Sequence, residues 1–92
     1  MERSNCGIIF RGGVVLFSPM AALKKIREMR DNCETLLGFD GFFVFPNNKI
    51  QISQEYSLDL SNSESKEEAW IAAEQKIKGL LDSDIWFELV TD

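Results

Sequence analysis

Gly41-Phe42-Phe43-Val44-Phe45-Pro46-Asn47-Asn48-Lys49-Ile50-Gln51-Ile52-Ser53-Gln54-Glu55-Tyr56-Ser57-Leu58-Asp59-Leu60 decides the fold class. The stretch opens on aromatic and β-branched residues that suit a pleated, half-buried surface. It closes on the clearest alternation in the chain. Ile50, Ile52, Tyr56, Leu58 and Leu60 fall on one side, with Gln54 the single polar exception, and Lys49, Gln51, Ser53, Glu55, Ser57 and Asp59 fall on the other. A period of two with one apolar side predicts a strand buried on one face and wet on the other. Asn47-Asn48 tolerates positive φ, so residues 41–60 read as a β-hairpin with a two-residue turn. That turn places Phe45 opposite Ile50 and Phe43 opposite Ile52, all four toward the helices. Phe42 and Val44 then point to the open face of the sheet, beside Gln51 and Ser53. An apolar patch with a polar margin on an open sheet commonly marks an interface, so Phe42, Val44, Gln51 and Ser53 are candidate partner-binding residues. Either Trp86 and Val90, or Ile85, Phe87 and Leu89, join them from the last strand.

Upstream, Ser18-Pro19 is a helix start: a hydroxyl N-cap, then proline where its missing N–H costs nothing. Ala22, Ile26, Met29, Cys33 and Leu36 recur at helical spacing, and Gly38 sits where a left-handed C-cap is wanted. The first helix is therefore expected over residues 19–37. Residues 6–17 are strand-like on both sides of Gly12-Gly13. They read as one long strand with a glycine bulge or as a short hairpin. The bulged strand is preferred, because hairpin arms of about four residues are marginal. Downstream, Ser65-Lys66-Glu67-Glu68 is a capping box that opens a helix with an apolar stripe of Trp70, Ala73, Ile77, Leu80 and Leu81. Asp82-Ser83-Asp84 turns the chain into a final strand at residues 85–90.

The order is strand, helix, strand, strand, helix, strand. It predicts one α+β domain over residues 1–92, a two-layer sandwich with two helices on one face of an antiparallel sheet. The sheet has four strands in the ferredoxin-like βαββαβ order, or five if residues 6–17 form a hairpin.

The chain has no histidine. That removes the commonest general base and metal ligand, and with them a Cys-His or Ser-His nucleophile pair. The Walker and dinucleotide glycine patterns are absent, and the acidic clusters lack the spacing of an EF-hand loop. The expectation is a protein that is not an enzyme, with no catalytic residues, no metal, no cofactor and no small-molecule substrate. No apolar run approaches the roughly 20 residues of a membrane span, so a cytoplasmic location is expected. Cys6 and Cys33 are expected to be unpaired thiols in a reducing compartment.

The net charge is −5, unevenly spread. Residues 1–37 hold six Lys/Arg and four acids, whereas residues 38–92 hold four Lys and eleven acids. Glu64, Glu67, Glu68 and Glu74, continuing to Asp82 and Asp84, form the strongest single-sign region. They are candidate contacts to a basic protein surface. Lys24, Lys25, Arg27 and Arg30 on the first helix are candidate phosphate contacts, although an acidic chain is not built as a general nucleic-acid binder.

Gly38–Phe45 resembles the aromatic motif of an RNA-recognition module. It departs from that motif in its strand position, in Leu37 where a basic residue leads, and in Asp40 within it. The hairpin followed by Ser63–Glu74, roughly a third of the chain, resembles a segment of small phage accessory proteins of the anti-CRISPR type, aimed at type I surveillance complexes. The resemblance implies a phage-encoded inhibitor, acting in the host cell cytoplasm as monomer or homodimer. Its partner would be a host protein or ribonucleoprotein complex with a basic surface. No site residue carries over, since that group shares no common motif. A self-associating ferredoxin-like module and an RNA-binding domain are the alternatives.

Overall fold

The computed structural model describes residues 7–11, 13–47 and 49–91. These residues form β1 (Ile8–Arg11), β2 (Val14–Phe17), α1 (Pro19–Asp31), β3 (Leu36–Val44), β4 (Ile50–Asp59), α2 (Lys66–Lys78) and β5 (Trp86–Thr91). The α+β class and the antiparallel sheet hold, with five strands in the order β1-β2-β5-β3-β4. The preference for a bulged first strand is corrected. Ile8–Arg11 and Val14–Phe17 pair as a hairpin, Ile8 with Phe17 through Arg11 with Val14, and Gly13 adopts φ 84° just before the second arm.

The lateral order is not the ferredoxin-like one. All neighbours are antiparallel, so β2 and β3 run parallel with β5 between them, and β4 and β5 run parallel with β3 between them. Two split β-α-β units thus interlock, but the strand inserted into the first is β5, and not one from the central hairpin. Both helices pack on the sheet and against each other. Between the layers lies a core that includes Ala22, Ile26, Met29, Phe39, Ala73, Ile77 and Phe87. Phe39 and Phe87 meet edge to face at 5.2 Å, worth about 0.5–1.5 kcal/mol beyond the area they bury.

Ser18 starts α1 as expected, accepting from the Ala21 N–H, and it also accepts from the Gly7 N–H at 2.9 Å. One hydroxyl thus ties the hairpin to the helix. The helix ends at Asp31, not at Leu37. Asn32 is the C-cap, the Cys33 N–H donates to the Arg30 carbonyl and the Glu34 N–H to the Met29 carbonyl. That is a Schellman closure with a non-glycine residue, Cys33 at φ 55°, in the left-handed position. Cys33 is therefore exposed, off the apolar stripe, and a free thiol. Cys6 lies outside the described residues.

Gly38, expected to cap the helix, lies in β3 at φ 147°. A Cβ there would run into the Leu58 carbonyl. Gly41 has the same reason: a Cβ would come within 2.6 Å of Tyr56. Both glycines let β4 cross closely over β3. Three residues of β3, Phe39 to Gly41, span six of β4, Leu58 to Ser53. The bulge is stitched by Ser57, whose hydroxyl accepts from the Gly41 N–H and donates to the Ser53 carbonyl. Its three extra residues swap the faces of β4. Tyr56 and Leu58 pack against the core, whereas Ile50 and Ile52 face away from it.

The second helix begins as expected, with Ser65 accepting from the Glu68 N–H at 3.1 Å. The return bond of the box goes from the Glu64 N–H to the Glu68 carboxylate. The first half of α2 also holds the chain that leaves α1. Trp70 donates its indole N–H to the Glu34 carbonyl, and Lys66 donates to the Cys33 carbonyl. No helix among the described residues is long and apolar enough to cross a membrane.

Candidate binding surfaces

The acidic face divides into three parts with different surroundings. Glu74 is only 8 % exposed. Its carboxylate accepts from Arg27 Nε at 3.2 Å and from an Arg30 guanidinium N–H at 3.1 Å, across the α1–α2 interface. Glu74 is thus an interhelical clamp and is not presented to a partner. Glu64, Glu67 and Glu68 are exposed around the start of α2, and none of them makes an ion pair among the described residues. Asp82 and Asp84 are exposed beyond the other end of the helix, about 20 Å away by helical rise. Between them Ser83 donates to the Leu80 carbonyl and accepts from the Ile85 N–H, which builds the expected turn.

Ile71 was missing from the sequence-based candidates. It is 41 % exposed and, with Glu67, Glu68, Ala72 and Gln75, lines a shallow depression on the outer flank of α2. The signal was present: Ile71 falls outside the stripe of Trp70, Ala73 and Ile77, on the turn after Glu67 and Glu68.

The basic residues of α1 also separate. Arg27 and Arg30 are committed to Glu74, so two of the four candidate phosphate contacts hold the fold together. Lys24 is exposed, and Lys25 pairs loosely with Glu28 at 3.8 Å. Both reach the side of α1 that faces the β1–β2 hairpin.

On the sheet, the expected hairpin register is corrected by one residue. The Phe45 N–H donates to the Lys49 carbonyl, and Val44 pairs with Ile50, Phe43 with Gln51 and Phe42 with Ile52. The loop therefore spans residues 46–48, of which Asn48 lies outside the described residues. A single-residue slip exchanges faces. Phe42 and Val44 do lie on the open face, but beside Ile50 and Ile52. Gln51 and Ser53 stand on the helix side, opposite Phe43 and Gly41. Trp86 joins the open face as the partner of Phe42 across β3 and β5. Phe42 is nevertheless only 8 % exposed, while Ile52 at 46 % is the most exposed apolar side chain of that row. Phe43 sits on the helix side, edge to face with Tyr56 at 6.1 Å.

Asp59 ends β4. Its carboxyl is held below its ordinary 3.8 by the Ser61 hydroxyl first, and then by the Ser61 backbone N–H, both donating to the same oxygen. Among the described residues no group of three or more Asp, Glu or Cys side chains is placed to hold a metal ion. No family model, curated protein or solved structure matches this chain.

Proposed function

We propose that this chain is a binding protein without catalytic activity, a phage-encoded inhibitor of the anti-CRISPR type. In this reading it sits on a basic, nucleic-acid-handling surface of a type I surveillance complex. The contact is the outer flank of α2, where Glu67 and Glu68 flank Ile71, together with Glu64 just before the helix. One observation carries this reading: Glu67 and Glu68, which make no ion pair among the described residues, line one depression with the exposed apolar side chain of Ile71, and the exposed Glu64 stands just before the same helix. An apolar centre with a charged rim is how protein interfaces are commonly organised. Carboxylates that meet lysines and arginines steer association and occupy the groups that would hold phosphates. The resemblance of the hairpin and capped helix to anti-CRISPR segments covers this same helix.

The test is a mobility shift of target DNA by a purified type I surveillance complex. Wild-type chain at stoichiometric amounts should displace the DNA. Reversing Glu64, Glu67 and Glu68 together to lysine should weaken that inhibition roughly 100-fold or more, because like charges then face each other across the contact. DNA binding left intact by excess wild-type chain refutes the reading. The RNA-binding and open-sheet alternatives gain less from the geometry, since Arg27 and Arg30 are engaged and Phe42 is covered.

A further inference from the structure

Strands in a sheet lie about 4.8 Å apart and a packed helix is about 10 Å across, so one helix covers about two strands. Two helices therefore cover four of the five strands. α1 lies over β2 and β5 and α2 over β3, which leaves the edge strand β1 beyond α1. The exposures agree. Ile8 and Phe10 pair with Phe17 and Val15, and Phe17 packs against the core, so both belong to the helix side; yet they are 59 % and 72 % exposed. Between α1 and this strand runs a groove of about 420 Å³. Its floor is apolar, made by Ile8, Val15, Phe17 and Ala21, and Lys24 and Lys25 stand on its rim with Glu28.

We propose that this groove seats the outer flank of α2 from a second copy of the chain, so that copies associate head to tail. The two surfaces are complementary in charge and in kind. The groove is apolar below, with Lys24 and Lys25 at the lip. The flank is a helix with an exposed apolar side chain, Ile71, and with Glu67 and Glu68 on the preceding turn. Ile71 enters the floor while Glu67 and Glu68 meet Lys24 and Lys25. The Lys25–Glu28 pair is long and exposed on both sides, so exchanging it costs little. The net charge of −5 opposes association at long range, but salt screens that repulsion beyond about 10 Å at 0.1 M while groups in contact still attract. Because groove and flank are different surfaces, the contact is heterologous and extends to a ring or an open chain. The proposal does not rest on the inhibitor reading, although it occupies the same carboxylates.

Sedimentation of the pure protein tests it. The average mass of wild type should rise with concentration and fall from moderate to high salt. Lys24→Glu/Lys25→Glu and Glu67→Lys/Glu68→Lys, each shown to be folded by circular dichroism, should both run as monomers. Their equimolar mixture should associate again, since the intact flank of the first fits the intact groove of the second and the two reversed surfaces also set opposite charges against each other. Three outcomes overturn the proposal. One is wild type that stays monomeric at the highest soluble concentration. Another is a dimer that survives both reversals, which would point to pairing of β1 edges. The third is a mixture that stays monomeric. Lys24→Glu/Lys25→Glu keeps the α2 flank intact, so inhibition of a surveillance complex by this variant would show that the two contacts stand or fall separately.

Discussion

Replacing Glu74 by glutamine tests the internal clamp most directly. The glutamine keeps the shape and one acceptor oxygen, but it removes the charge and aims an amide N–H₂ at a guanidinium. Hydrogen bonds to charged groups contribute about 1.5–3 kcal/mol each, and here two are made, at 3.2 and 3.1 Å. The arginine side chains are 56 % and 42 % exposed, so water screens part of that and the low end applies. One bond survives in weakened form. The expected net loss is about 2 kcal/mol, which for a domain of this length lowers Tm by about 8–16 °C. Circular dichroism during heating and in urea should show the midpoint falling with the urea m-value unchanged. Double-mutant cycles with Arg27→Gln and Arg30→Gln should both give non-zero coupling to Glu74→Gln. Glu74→Lys places a third cation between two others and should cost more, about 3–5 kcal/mol. Stability of Glu74→Gln within about 0.5 kcal/mol of wild type, the usual range for an inconsequential surface change, would refute the clamp.

Three further outcomes are expected. Gly38→Ala adds a methyl group against the Leu58 carbonyl at a φ that disfavours any side chain; it should cost about 3 kcal/mol or more, and denaturant melts would show it. Cys33→Gly relieves the left-handed strain at the end of α1 but enlarges the entropy of the unfolded chain, so a net gain of about 0.5 kcal/mol is expected in the same assay. The Asp59 carboxyl should titrate below 3.8 by NMR, and Ser61→Ala should return it only part of the way, because the backbone N–H still donates. Since that pKa is depressed on folding, its contribution to stability is complete above the unfolded value and disappears as pH falls through the folded one.

Helix starts and the existence of the strands were readable because they depend on neighbours in sequence: Ser18-Pro19 and Ser65 to Glu68 act as local caps. The errors arose where distant segments decide. Gly38 suggested a helix end, whereas it is needed for the close crossing of β4. Gln54, the one polar residue in an apolar row, stands in the segment where that strand bulges and changes faces. Pro46 joins the turn, so the hairpin loop is longer by one residue and the neighbours of Phe42 and Val44 change. Strand order has no local signal, since it depends on which edges meet after both helices have packed. Among the candidate site residues, Glu74 carried a hint: it lies four residues after Trp70 and three before Ile77, on the buried stripe, where a carboxylate needs partners.

The placement of β5 bears on how the molecule is made. The last of the five described strands lies in the middle of the sheet, bridging the β1–β2 hairpin to the β3–β4 hairpin. While residues 8–85 emerge from a ribosome, those two ribbons have no strand between them, and Phe39 and Phe17 lack the ring of Phe87 that both adjoin. The sheet therefore cannot close until β5 has been made and inserted between the two hairpins.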